Sequence, residues 1–105
     1  MNIIKFNNSE FEVESYNKST YFSLSGSMNS NASCSLVAAN VNTLMALALE
    51  PITSIQIEHD QKVIYTLNNI TCHITNMNEY LSNDRMSVSL NLSFEDEQAE
   101  EEPNT

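Results

Sequence analysis

Few side chains here can do chemistry, and they are widely spaced: Cys34, His59, Cys72 and His73, with fourteen carboxylates among 105 residues. A metal centre needs such groups converging at about 2 Å from one ion. Cys72 and His73 are neighbours in an alternating segment, Ile70 to Thr75, so a strand would send them to opposite faces. No CxxC or HxxxH spacing occurs, and no metal site is predicted. Cys34 and Cys72 fall on apolar strand phases. They read as small buried thiols, with a Cys34–Cys72 disulfide the competing reading. No secretory leader is visible in Met1 to Phe6, which favours the thiols. For catalysis, the single glycine, Gly26, excludes a phosphate-cradling loop or a dinucleotide fingerprint. The serines lie in strand alternation rather than on a nucleophile elbow. The only His–Asp pair, His59-Asp60, sits in a hairpin turn. The expectation is a protein that is not an enzyme and has no cofactor.

Two patterns are better candidates for binding. Glu10, Glu12 and Glu14 alternate with Phe11 and Val13, which sets the carboxylates on one face about 6.6 Å apart. Such a row could engage a basic partner or imitate a phosphate backbone. It could equally be the solvent face of a strand, its charges discouraging edge-to-edge aggregation. The second pattern is a set of polar rows almost free of charge: Ser23-Ser25-Ser27, Ser33-Ser35, Thr71-His73-Thr75 and Ser87-Ser89-Asn91-Ser93. Faces of small neutral polar groups can pack against another subunit without desolvating charge, which points to an assembly surface; a low-charge surface that simply reflects the Asn- and Ser-rich composition is the equal competing reading.

The elements that must carry these residues are mostly strands. Ile3 to Phe6 and Phe11 to Tyr16 flank a turn at Asn7-Asn8-Ser9. Asn17-Lys18-Ser19 reads as the next turn, followed by a strand through Phe22, Leu24 and Met28. Asn29-Ser30-Asn31 reads as another turn before Ala32 to Ala38. The segment from Asn40 to Glu50 is rich in Leu, Ala and Met, with an Asn cap and Pro51 as a stop. It predicts a helix over about 41–50 with Val41, Leu44, Met45, Ala48 and Leu49 on the core face and Leu47 exposed. Ile52 to Glu58 and Lys62 to Leu67 form a hairpin, Asn68-Asn69 a turn, Ile70 to Thr75 a strand, Met77 to Asp84 a loop, and Arg85 to Phe94 the last strand. The fold class is mainly β (α+β): an antiparallel β-sandwich or barrel of order ββββ–α–ββββ with one short flanking helix.

Charge divides the chain. The net charge is −10, but residues 95–105 hold six acids and no base, leaving residues 1–94 with eight acids and four bases. The domain is therefore 1–94, and 95–105 reads as a disordered, solubilising acidic tail, with a tether that docks on a basic surface as the alternative. Asn and Ser, 15 and 14 of them, take the place of charge. Lys5, Lys18, Lys62 and Arg85 are too scattered for the basic patch that nucleic acid requires. No apolar run approaches the roughly 18 residues of a membrane span. Neither nucleic acid nor membrane is an expected partner.

The hairpin Ile55 to Tyr65, then Ile70 to Met77, the Asn78-Glu-Tyr-Leu-Ser-Asn-Asp84 loop and the alternating Met86 to Phe94 follow the helix in a distinctive layout. Over residues 40–94 this arrangement resembles small structural proteins of tailed-bacteriophage virions, of the tail-tube and tail-completion type. The resemblance implies a β-sandwich or barrel flanked by one helix, self-assembly through sheet edges and loops, and residence in the cytoplasm of the producing cell and then in the virion. It assigns no residue roles. The sequence expectation is thus a virion (tail or connector) structural protein forming a homo-oligomer through protein–protein contacts at Ser87, Ser89, Asn91, Ser93 and the Glu10, Glu12, Glu14 row. The alternatives are a small acidic, anti-CRISPR-like inhibitor acting by charge mimicry, and a β domain binding a small molecule or carbohydrate.

Overall fold

Asparagine and aspartate supply the left-handed backbone that tight reversals need in a chain with one glycine. Asn7 turns the chain at φ 57°, Asp60 and Gln61 at 49° and 70°, and Asn83 and Asp84 at 52° and 59°. These reversals join six strands in the computed structural model, which describes residues 1–95. The elements are β1 (Asn2–Phe6), β2 (Ser9–Phe22), β3 (Met28–Val37), α1 (Val41–Leu49), β4 (Ile52–His59), β5 (Lys62–Ser82) and β6 (Arg85–Phe94). All pairings are antiparallel and the strands close into a barrel in the order β1-β2-β3-β6-β5-β4. The β-rich α+β class holds, and of the two architectures predicted the barrel is the one formed. Its core is lined by fully buried Ile4, Phe6, Leu36, Ile52, Ile55, Val88 and Leu90, with Leu44 of α1 among them. No helix among the described residues is long and apolar enough to cross a membrane. The acidic-tail expectation lies outside the described residues from Asp96 onward.

Six strands replace the eight expected because three Asn-rich predicted turns do not reverse the chain. Asn17-Lys18-Ser19 and Asn29-Ser30-Asn31 pair with β3 and β2 respectively, in continuous register from Ser15↔Ser35 to Phe22↔Met28. The reversal comes later, at Ser23–Ser27, where Gly26 takes φ 92°. Polar residues are tolerated in these strands because the inward ones satisfy each other: Thr20 and Ser30 hydroxyls lie 2.9 Å apart. Asn69 does adopt a left-handed conformation, φ 57°, but as a bend inside β5 rather than a turn. Just beyond it the 21-residue strand exchanges partners, pairing with β4 from Lys62 to Cys72 and with β6 from Cys72 to Ser82. The predicted loop over Met77 to Asp84 is the second half of that strand, ending in the two-residue turn Asn83-Asp84.

The helix is present, but rolled relative to expectation. Leu44 and Leu47 are buried, whereas Met45 and Leu49 are 46% and 78% exposed. Its first turn is fixed by a capping box between Asn40 and Thr43. The Val41 amide donates to Glu79 Oε2 on β5 at 2.9 Å. Held at that end, the nine-residue helix presents the i, i+3 pair Leu44 and Leu47 to the barrel.

Candidate interaction face

Because partners across antiparallel strands point to the same side, the pairing registers lay out the outer surface of β2, β3, β6 and β5 as a lattice. Ser15, Ser35, Ser89 and Asn78 form one row across the four strands. Asn17, Ser33, Asn91 and Asn76 form the second, and Ser19, Asn31, Ser93 and His73 the third. Strands stand about 4.8 Å apart, so this is a continuous patch of small amide and hydroxyl groups. Its only titratable side chain is His73, whose Nε2 lies 2.8 Å from Glu95 Oε2. The structure thus joins predicted Ser89, Asn91 and Ser93 to Ser33, Ser35 and His73 of the other polar rows on one face. It adds β2 and β5 residues that the sequence pattern did not single out.

The other predicted residues are placed differently. Ser87 faces outward but is only 6% exposed. Tyr80, its partner on β5, hydrogen-bonds the Ser35 hydroxyl on β3, so its side chain spans the intervening β6 and covers Ser87. A bulge between Val13 and Ser15 breaks the acidic row. Glu14 is the residue displaced, and it accepts a 3.4 Å hydrogen bond from Ser35. Glu10 shares Lys5 with Glu58 (3.6 and 3.0 Å), so this end of the row is paired with a cation. Both carboxylates hold the Lys5 ammonium above its ordinary pKa, Glu58 contributing most. The Ser23-Ser25-Ser27 row lies in the β2–β3 turn, where the hydroxyls of Ser23 and Ser27 stand 2.6 Å apart.

Cys34 and Cys72 are free, buried thiols. Burial pushes both up to about 12, with Cys72 adding to the effect on Cys34. His59 Nδ1 lies 2.6 Å from Asn2 Oδ1 and its Nε2 3.2 Å from Asp60. Among the described residues no three His, Cys, Asp or Glu side chains are grouped to hold an ion.

A second feature was not visible in the sequence. The bulge at Glu14 shifts the phase of β2, bringing Tyr16, Lys18 and Thr20 onto the inward side with Val13. Tyr16 packs on Tyr65 of β5 with ring centroids 5.6 Å apart at 50°. Lys18 Nζ stands 4.9 Å from the centre of the Phe94 ring. The Tyr16 hydroxyl is buried without a hydrogen bond. Burial first, and then the nearby Tyr65 hydroxyl, raise the Tyr16 phenol above its ordinary pKa, yet no bond of acceptable geometry reaches its oxygen. Only the bulge reveals this cluster, since strict alternation from Val13 would send Tyr16 outward.

No protein-family model matches the chain, and no curated protein matches its sequence.

Proposed function

We propose that this chain is a non-enzymatic structural subunit of a tailed-phage type virion, a tail or connector component that assembles with copies of itself. The observation that carries the reading is the uncharged lattice on β2, β3, β6 and β5. Covering it with a second subunit desolvates amides and hydroxyls that can re-form hydrogen bonds, with carboxylates only at its margins, where Glu14 meets Ser35 and Glu95 meets His73. Strand edges add to it. Among the described residues, Glu14 to Phe22 of β2 and Lys62 to Ile70 of β5 pair on one side only, and the β5 stretch bears a single charge, at Lys62. Exposed Tyr21, Phe22 and Leu24 extend the β2–β3 hairpin tip with apolar surface. The charge-mimic alternative has less support, because Lys5 lies between Glu10 and Glu58.

Sedimentation velocity over a concentration series tests the proposal. Self-association is expected to rise with concentration and to weaken in Asn91→Lys, which sets a charge at the centre of the lattice. A strict monomer at millimolar concentration, with no partner-dependent assembly, would sink it.

A further inference from the structure

Where the β2–β3 ladder ends, the outer wall of the barrel holds a polar hollow of about 440 Å³. Glu12, Glu14, Tyr80 and Arg85 stand around it, with Val37 and Ser87 in the wall between them. The pairing registers bring these residues together. Val13 pairs with Leu36, which sets Glu12 beside Val37, while Val37 pairs with Ser87 and Ser87 with Tyr80. The four make one outward row across β2, β3, β6 and β5. Arg85 lies two residues along β6 from Ser87, past the end of β3. Two carboxylates thus stand on the β2 side and one guanidinium on the β6 side. With β3 between them, those two strands are about 10 Å apart. The Ser87 hydroxyl marks the hollow as a place for a ligand. The residue is 6% exposed and its hydroxyl makes no hydrogen bond, yet its oxygen, unlike that of Tyr16, is not sealed from the space it lines. Among the described residues, Glu12 and Arg85 share this lining and neither makes a hydrogen bond or an ion pair. The volume lies in the usual range for small-molecule sites.

We infer that this hollow binds a small zwitterion of the ω-amino-acid class, its ammonium held by Glu12 and Glu14 and its carboxylate by Arg85 and the Ser87 hydroxyl. A lone cation meets the guanidinium, and a lone anion meets two carboxylates. Only a ligand with both charges is complementary to both sides. The intervening strand keeps the two sides apart, which favours a carbon chain between the charges over an α-amino acid. Arg85 can grip a carboxylate with two parallel hydrogen bonds. Ser87, on the same strand, supplies a donor that has no other acceptor. One side of the hollow is fixed in place, since the Tyr80 hydroxyl bonds Ser35 across β6. The site does not depend on the assembly reading, because Asn91, at the centre of the lattice, is outside its lining.

The test titrates the full chain with 5-aminovalerate and, separately, with pentylamine, valerate and the α-isomer norvaline, followed by amide ¹H–¹⁵N spectra. 5-Aminovalerate is expected to give saturable shifts confined to residues 12–14, 37, 80 and 85–87. Pentylamine and valerate, each lacking one charge, should bind at least tenfold more weakly, and norvaline several-fold more weakly. Arg85→Gln should lower 5-aminovalerate affinity at least tenfold and leave that of pentylamine unchanged. Ser87→Ala, which removes only the hydroxyl, should lower it several-fold. An unchanged spectrum away from the hollow establishes that each variant folds. No saturable shift at these residues up to tens of millimolar overturns the site. Pentylamine or valerate binding as tightly as 5-aminovalerate overturns the zwitterion class, and norvaline doing so overturns the separation of charges. Undiminished affinity in Arg85→Gln or Ser87→Ala overturns the role of that side chain.

Discussion

A phenol taken out of water without a partner costs about 1–3 kcal/mol, because its lost hydration is not replaced. Tyr16 carries that cost. Tyr16→Phe should therefore raise the thermal midpoint by several degrees, the shift about 1 kcal/mol gives in a domain of this size, as read by circular dichroism. A fall in the midpoint would mean that the hydroxyl has a partner in solution. The two thiols act in the opposite direction with pH. Burial raises the folded-state pKa of Cys34 and Cys72 to about 12 from an ordinary value of 9.0. The folded state thus holds these protons more tightly than the unfolded one, so their contribution is complete below pH 9 and lost as pH climbs toward 12. Urea midpoints measured from pH 8 upward should fall faster in the native chain than in a Cys34→Ala, Cys72→Ala variant. Both thiols should also resist alkylation at pH 8 until the protein is unfolded.

At the scale of elements, the roll of α1 makes a sharp contrast between two leucines two positions apart. Leu47→Ala should destabilise by about 2–4 kcal/mol, as buried leucines do, while Leu49→Ala should stay within about 0.5 kcal/mol. Chemical denaturation distinguishes this from the pattern expected from helical spacing alone, in which the two effects are reversed. How far the elements were legible follows from the same physics. Alternation located β1, β4 and β6 well, because each has one face on the core and few interruptions. It failed where asparagine clusters were read as reversals. Asn17 and Asn31 are ordinary outward strand residues, and Asn69 uses its left-handed tolerance to bend a strand rather than to reverse it. Local sequence reports that a residue can take such a conformation; only the partner strand decides whether the chain then turns. The lattice was half legible for a related reason. The serine rows of β3 and β6 are periodic in sequence, whereas Asn76 and Asn78 join only after the bulge between Ile74 and Asn76 resets the phase of β5.

At the scale of the molecule, an elongated body of 55 × 28 × 22 Å carries a neutral face along one flank and apolar side chains at the β2–β3 tip. These surfaces predict separable defects. Asn91→Lys or Ser89→Lys should lower self-association at least tenfold with the thermal midpoint moving by no more than a degree or two, since both sites are on the surface. Phe22→Ser with Leu24→Ser should likewise weaken association while the thermal midpoint moves little, because both side chains are exposed. Light scattering reads association and circular dichroism reads the thermal midpoint, so the two effects are measured independently.

The closure of the barrel also sets a schedule. β1 is made first, yet one of its edges can be sealed only by residues 55–59, and β3 is joined to β6 across 50 to 62 residues of chain, from Val37↔Ser87 to Asn31↔Ser93. Such distant pairings place barrels among the slower-folding small domains, on the millisecond-to-second scale. During synthesis the early strands must therefore wait, half paired, for the last ten residues of the barrel to leave the ribosome. On the proposed assembly role, the chain would be most exposed to its own copies during that interval.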